Sequence, residues 1–527
     1  MDAKLQKYLN ISSVEGSGGK KKKKPKEPQE AKNNLQSTAV AKILDLLCEG
    51  EIAGLVTEDA RSIFFDQTPV QNTDGSYNFK GLTWDFRSGN QDQGYIPNVA
   101  DGVSTDFNVG ATLKVSSGSV VRAIAESDCD AIKVRVGVPS LQNFKTNGDI
   151  VGAEVRLTIE IKEGNGAYAL RVDDTIRGKT ASLYEKEYIM PVISGQPSYQ
   201  IRVTRITPDS TTTNLQNELR WQSYSKVINT KLRYPNSALV GLTFDAQEFS
   251  SMPERSYLIK GLVVKVPSNT STNSDGSLTY NGTWDGSFRL SWTSNPAWCL
   301  YDLLSNTRYG CNCPESNLDK WAFYTIGQYC DEGVPNGKGG YEPRFSLNCY
   351  LQSKEKAYDV INSLCSVFRG LAYYECGTIT AVQDRPRDPT RLFNDSNVGE
   401  DGFEYAGSDL RVRHNTVAVT WNDPSDRYGQ RIESVEDQID IAKLGVRQTE
   451  VAAFGCTSQG QAHRLGKWLL IGELVETDTV TFKTAAEGIP VRPGEVIKVA
   501  DGKRSGTTQW GRIVRIEATA DPIYQEI

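Results

Sequence analysis

This sequence has very little histidine and no long apolar run, and both shortages narrow its possible functions. Its 527 residues include two histidines and three methionines. No apolar run approaches the roughly 20 residues needed to span a bilayer, so we expect no membrane-spanning helix. The first 30 residues lack the apolar core of a secretory signal, and we expect none.

The two histidines give a poor basis for catalysis. His414 and His463 lie about fifty residues apart in different predicted elements. His463 follows Cys456 by seven positions, and on one helix that spacing separates two side chains by about 10 Å along the axis. A Cys–His nucleophile pair requires hydrogen-bond contact. We therefore predict no catalytic residue and no enzyme activity.

The ten cysteines are scattered rather than paired in a short chain. This usage is typical of buried free thiols in a protein made in a reducing cytoplasm. Cys311, Cys313 and Cys330 are weak candidates for a zinc site, because tetrahedral sites normally contain CxxC pairs and a clear fourth ligand. We expect unligated thiols here and no bound cofactor.

Charge is concentrated at the beginning of the chain. The formal net charge is −6, yet residues 1–34 hold nine lysines against four acidic residues and the remainder is acidic. The string GSGGKKKKKPKEPQE has almost nothing to bury, so residues 1–34 are predicted to form a flexible basic arm. We expect an acidic partner, or alternatively DNA, to contact the lysine run Lys20, Lys21, Lys22, Lys23 and Lys24.

Most of the remaining chain has the two-residue period of β-strands. Apolar residues alternate with charged or small ones from Ile132 to Val138, from Val155 to Ile161 and from Tyr199 to Val203. The length exceeds what one hydrophobic core supports. We predict a mainly β protein of several domains, with β-rich modules over residues 35–295 and 375–527.

Helical periodicity interrupts this pattern. The spacing of Val40, Ile43, Leu44 and Leu47 predicts a first helix that begins near Ser37 or Thr38 and ends at Gly50. The helical periodicity of residues 296–374 predicts a helical segment packed on the β modules. Its first helix begins at Pro296, and its third is capped by Ser353 and ended by Gly370. One more helix is predicted at about 458–474.

Aromatic residues are dense in the helical segment. Most of them are expected in the core, but outward members such as Phe323 or Tyr324 would contact another subunit, because aromatics concentrate at obligate interfaces. The interface candidates are Trp298, Trp321, Phe323, Tyr324 and Tyr329.

Several long strings carry a family resemblance. They include PAWCLYDLLSNTRYG from Pro296, SKEKAYDVINSLCSVFRG ending at Gly370, RITPDSTTTNLQNELRWQSYSKVI over 205–228, and AFGCTSQGQAHRLGKWLL over 453–470. In this order they closely resemble the tail tip attachment protein J family, the host-specificity proteins of lambda-like siphophages. The resemblance begins at Glu30 and covers most of the chain. The lysine run and the Cys311–Cys313 loop depart from the family pattern.

The resemblance implies a fold, an assembly and a location. The fold would be a tail hub of β-barrel modules, and three copies would close the distal end of the tail tube. This homotrimer would contact other tail tip proteins, hold the tape measure end and the central fibre, and open for phage DNA after receptor binding. It would be made in the host cytoplasm and reside in the virion.

The resemblance also implies that receptor recognition lies elsewhere. The family's fibronectin-like modules and receptor-binding C-terminus are expected beyond Ile527, so a host outer-membrane receptor would be contacted only through that region.

Two other functional classes remain open. A tail-associated cell-wall hydrolase predicts a pocket with a perturbed acid or nucleophile. A carbohydrate-binding β protein predicts glycan binding without tail components.

Overall fold

The chain folds mainly into β-sheet with a helical insertion, as predicted. The structure, a computed structural model, describes residues 29–35, 40–97, 104–228, 231–246, 249–352, 355–375, 377–409, 412–504, 508–519 and 525–527. Within these ranges every sheet has two to four strands and two open edges. The prediction that the β-rich modules are barrels is therefore wrong, because no described sheet closes on itself.

Twenty-two strands of the described ranges precede the helical segment, and the ladders between them are antiparallel. They are β1 (Val40–Glu49), β2 (Ile52–Leu55), β3 (Ile63–Phe65), β4 (Thr68–Pro69), β5 (Thr83–Ser88), β6 (Ser104–Leu113), β7 (Val120–Ile124), β8 (Ala131–Val138), β9 (Gln142–Phe144), β10 (Ile150–Val151), β11 (Ala153–Glu163), β12 (Tyr168–Gly178), β13 (Tyr184–Pro191), β14 (Tyr199–Arg205), β15 (Leu215–Gln216), β16 (Leu219–Val227), β17 (Ser237–Asp245), β18 (Arg255–Tyr257), β19 (Ile259–Pro267), β20 (Thr270–Thr272), β21 (Leu278–Tyr280) and β22 (Phe288–Trp292).

The rest of the described chain mixes helices with short strands. The elements are α1 (Pro296–Ser305), α2 (Lys320–Asp331), β23 (Gly333–Pro335), β24 (Tyr341–Pro343), α3 (Ala357–Val367), β25 (Gly370–Glu375), β26 (Thr378–Gln383), β27 (Arg391–Asn394), β28 (Phe403–Gly407), β29 (Thr416–Asp423), β30 (Gly429–Glu436), α4 (Gln438–Leu444), β31 (Gln448–Ala452), α5 (Gln459–Val475), β32 (Asp478–Thr484), β33 (Val496–Ala500), β34 (Gln509–Arg512), β35 (Glu517–Ala518) and β36 (Gln525–Glu526).

A β-sandwich is inserted between β5 and β17. One sheet has the order β12-β11-β14-β7 and the other β13-β8-β16-β6. The predicted alternation is confirmed, because the apolar residues from Ile132 to Val138 and from Val155 to Ile161 are buried in the core that both sheets share. Alternating side chains place one face of each sheet in this core and the other outside.

The predicted first helix is wrong, because Val40–Glu49 is a strand. It pairs with β17 over nine positions, and a bulge between Leu46 and Cys48 shifts the register. The bulge leaves Leu46 61% exposed while Leu47 is buried, so the helix-like spacing fits a bulged strand equally well. Pairing with a strand about 200 residues away decides the conformation, which no local pattern reveals.

The helical segment forms three helices, close to the prediction. Asn295 caps α1 by accepting a hydrogen bond from the Ala297 backbone N–H, and Pro296 occupies the first turn. The third helix begins at Ala357 without a side-chain cap, and the predicted cap Ser353 lies outside the described residues. Gly370 does not end this helix directly but begins β25.

The last β region contains the predicted helix α5, while the short helix α4 was not expected. Helix α5 is capped by Ser458 and packs on β29 and β30. The helix and the sheet approach closely at Gly466, where an added Cβ would lie 2.6 Å from Val435 and 3.2 Å from Val419. No helix of the described ranges is long and apolar enough to cross a bilayer.

We expect Gly466→Ala to destabilise the protein by about 1–3 kcal/mol, because the new methyl group overlaps Val435 in a packed contact. The matched control is Gly472→Ala in the same helix, where an added Cβ meets no atom within 4 Å. The control should be neutral or stabilising by up to about 1 kcal/mol through helix propensity. Urea unfolding followed by circular dichroism measures both, and equal effects would contradict this packing.

Candidate functional site

The helical segment buries most of its aromatic residues in its own core. Trp298 and Phe323 are 0% exposed, and the Tyr301 ring lies between them at centroid distances of 5.9 and 5.5 Å. Neither residue can contact another chain from this position. The prediction of Phe323 and Trp298 as interface residues is therefore wrong, because both belong to the core between α1 and α2.

Trp321 is the exposed member of the group, with 51% of its surface accessible. Its ring makes an edge contact with Trp284 at 4.9 Å, and the Lys320 ammonium lies 5.6 Å from it. Tyr324 instead stacks on Trp284 at 4.8 Å. The half-buried Tyr329 lies under the Arg344 guanidinium, 4.3 Å from its ring. Of the five aromatic candidates, Trp321 is best placed to meet a ligand or partner.

The three cysteine candidates do not form a metal site. Cys330 is fully buried in α2, where the Gln383 amide donates to its sulfur at 3.8 Å. Burial raises the pKa of the Cys330 thiol well above its usual range. Cys311 and Cys313 lie in the loop after α1. Across the part of the chain that the structure describes, no three His, Cys, Asp or Glu side chains are arranged to hold a metal ion.

The histidines are held in separate pairs with carboxylates. His414 lies 3.1 Å from Glu473 and His463 lies 2.9 Å from Glu433. The Cys456 thiol donates to the Ser458 carbonyl, and burial raises its pKa to about 11. Cys456 is therefore a protonated structural thiol rather than an activated nucleophile.

A buried carboxyl group connects the end of α2 to the start of α1. Asp331, the last residue of α2, accepts hydrogen bonds from the Asn295 amide at 2.6 Å and the Tyr280 hydroxyl at 3.0 Å. Its other oxygen is buried without a partner among the described residues. Burial raises the pKa of Asp331 to about 7. The C-terminal end of a helix also disfavours a negative charge.

One end of the last β region exposes many apolar side chains. His414 ties the start of β29 to Glu473 in α5, and the Asn415 amide donates to the Gly445 carbonyl after α4. These contacts bring α4 and the end of α5 to the same end of the sheet. We name the exposed residues there the apolar end: Val412, Ile439, Leu444, Val446, Ile471, Leu474 and Val475. Sequence periodicity did not reveal it, because α4 has no buried residue to set a pattern.

The predicted contact of Lys20, Lys21, Lys22, Lys23 and Lys24 lies outside the described residues.

Two family models match separate parts of the chain. Residues 103–230 match the model described as Tip attachment protein J, FNIII-A domain, and residues 356–516 match the model described as Putative phage tail protein. The first range encloses all eight strands of the β-sandwich. The expectation that fibronectin-like modules lie only beyond Ile527 is therefore wrong. The descriptions of both models are those of phage tail or tail tip proteins, so two separate parts of the chain are similar to proteins of this class.

Two curated relatives match almost the whole chain. Tip attachment protein J of Escherichia phage SECphi27 is 34% identical over 97% of this chain and 42% of its own length. The same-named protein of Escherichia phage SECphi4 is 33% identical over 96% of this chain and 44% of its own length. The chain is thus similar to tip attachment protein J over almost its whole length, and it spans less than half the length of those two proteins.

A solved structure shows a weaker likeness. A chain in the virion of a native gene transfer agent particle is 10% identical, covers 84% of this chain and 87% of its own, and has a TM-score of 0.35. That score is too low to define a shared arrangement.

Asp331 gives a pH-dependent stability that can be tested. Because its pKa is about 7 when folded and near 3.8 ordinarily, the folded state holds the proton longer than the unfolded state. Its contribution to stability is complete below about pH 4, falls as the pH rises toward 7, and is lost above that.

We expect Asp331→Asn to remove this dependence and to be more stable than the wild type at pH 8. Urea unfolding at pH 5, 6 and 8 measures the effect. The control Asp388→Asn changes an exposed carboxylate and should keep the wild-type slope. An unchanged slope in Asp331→Asn would show that Asp331 is ionised in the folded protein at all three pH values.

Proposed function

We propose that this chain is a structural component of a phage tail tip, located at the distal end of the tail in the virion. The supporting observation is its 34% identity, over 97% of its length, to a tip attachment protein J. We propose no enzyme activity. In this proposal the helical core, the thiols and the histidines paired with carboxylates stabilise the folded chain. The protein would be made in the host cytoplasm and assembled with the other tail tip proteins.

We further propose that three copies form a hub that closes the distal tail tube. In this arrangement the hub holds the end of the tape measure protein and anchors the central fibre. A closed ring with rotational symmetry uses the same pair of complementary surfaces at each contact, so each copy buries both. Such a ring leaves an axial channel through which phage DNA would pass.

The apolar end is the surface that best suits a contact between copies. Its residues lie on three separate parts of the chain, at the start of β29, around α4 and at the end of α5. Leu474 and Val475 project from the last turn of α5, while Ile439 lies in α4. Exposed apolar side chains gathered at one end of a sheet are a common feature of surfaces that contact another protein.

Opening of the hub would change contacts between copies rather than the sheets within one copy. The β-sandwich and the helical core are closely packed, and packed cores do not deform continuously. Receptor binding by the rest of the protein would therefore act on surfaces such as the apolar end. The lysine run at residues 20–24 remains a proposed contact for an acidic neighbour or for DNA.

We expect the wild-type chain to have three times its chain mass of 58.2 kDa in solution. The double variant Ile439→Glu/Leu474→Glu should be monomeric, because two buried charges at each contact would lack partners. Size-exclusion chromatography with light scattering measures the mass.

The matched control is Leu170→Glu/Leu183→Glu, which places two charges on exposed positions of the β-sandwich and should leave the trimer intact. Circular dichroism verifies that each variant is folded. A monomeric wild type would contradict the trimer, whereas a trimeric Ile439→Glu/Leu474→Glu variant would contradict only the role of the apolar end.

A further inference from the structure

A cleft of about 610 Å³ lies beside Trp321. Its walls come from the start of α2, the turn at residues 315–317, the β25–β26 hairpin and Arg492. The Asp319 backbone N–H donates to the Ile379 carbonyl at 3.0 Å, which fixes the hairpin against α2. A volume of about 300–1,000 Å³ is usual for small-molecule sites, and this cleft has room for one or two sugar rings.

The wall of the cleft contains a buried hydroxyl group that lacks a partner among the described residues. The Tyr301 side chain lines the cleft and is 0% exposed, yet its hydroxyl has no hydrogen-bond partner among the described residues. Burial and the nearby Glu315 carboxylate raise the pKa of Tyr301 to about 12, so the hydroxyl keeps its proton at neutral pH. A buried donor without an acceptor is costly, and a ligand oxygen would remove that cost.

Trp321 supplies an apolar face at the same cleft. Its ring is held by the edge contact with Trp284 and by Lys320, whose ammonium donates to the Gly286 carbonyl at 2.9 Å. A ring that is already ordered loses little side-chain entropy when a ligand stacks on it. The exposed half of the indole is therefore a ready surface for the C–H face of a sugar ring.

The charges around the cleft are balanced. Glu375 pairs with Arg492 at 3.0 Å, and Glu315 pairs with Lys265. The Asp319 carboxylate caps α2 and accepts from the Thr380 hydroxyl at 3.2 Å. A strongly charged ligand would have to break one of these arrangements. A neutral ligand with several hydroxyl groups can hydrogen-bond to the same carboxylates without doing so.

We infer that this cleft binds a neutral saccharide unit of a surface glycan, with Trp321 stacked on the sugar ring and the Tyr301 hydroxyl donating to a sugar oxygen. The site goes beyond the proposed role in tail structure, and it does not require the trimer. It adds a direct glycan contact to a region for which the family resemblance implies no host contact.

The experiment applies the full chain to an array of bacterial surface glycans and titrates the retained oligosaccharides, with tryptophan fluorescence as the readout. We expect at least one neutral glycan to bind. Trp321→Ala should weaken its binding about tenfold, and Tyr301→Phe should weaken it several-fold, consistent with one lost hydrogen bond. The control Trp510→Ala removes an exposed tryptophan on β34 and should bind like the wild type.

Tyr301→Phe also separates a binding role from a structural one. Because the hydroxyl has no partner among the residues that the structure describes, the variant should keep or slightly raise the thermal stability of the chain. Retention of no glycan, or equal affinity in Trp321→Ala and the wild type, would overturn the inference. A loss of stability in Tyr301→Phe would show that the hydroxyl has a partner within the protein. None of these outcomes bears on the trimer.

Discussion

The burial of α1 on all sides is the constraint on which the rest of the structure depends. Ala297, Trp298, Leu300 and Tyr301 have no exposed surface, so this helix cannot exist without neighbours around it. Those neighbours include Val264 and Val266 of β19 and also α2 and α3. A single core thereby fixes the first β region to the helical segment, and removal of its large aromatic side chains would cost several kcal/mol each.

The segment at residues 345–348 extends this connection to the last β region. The Leu347 backbone N–H donates to Ser294, directly before α1, at 2.8 Å. The neighbouring Ser346 contacts the Gln461 side chain of α5. The Ser346 backbone N–H donates to the Gln461 side-chain oxygen at 2.9 Å. Backbone hydrogen bonds on both sides of one short segment hold α1 and α5 at a fixed separation. The cleft beside Trp321 and the apolar end are thus positioned by the same framework, which suits a protein that acts through shape.

The sequence indicated those elements whose own residues decide their structure. The sandwich strands were predictable because alternate residues from Ile132 to Val138 meet one core, and α5 because Ser458 caps a long polar-apolar pattern. The strand Val40–Glu49 was not, since its partner β17 is remote and its bulge imitates a helical period. The aromatic density around Trp321 marked this segment as a candidate, but only the packing shows which rings face inward.

The candidate sites depend still more on distant contacts. The hydroxyl of Tyr301, which is unpaired among the described residues, and the buried carboxyl of Asp331 both result from what surrounds them. No spacing in the sequence signals either one. The apolar end gathers residues from three parts of the chain, each of which alone resembles an ordinary exposed surface.

The central claim is that this chain acts by its packing in a threefold assembly at the tip of a phage tail. Cryo-electron microscopy of intact tails that carry the protein tests this most directly. The account predicts three copies around the tail axis at the distal end, with the apolar end of each copy covered by a neighbour. Density for the chain at another position in the virion, or single copies without mutual contact, would contradict it.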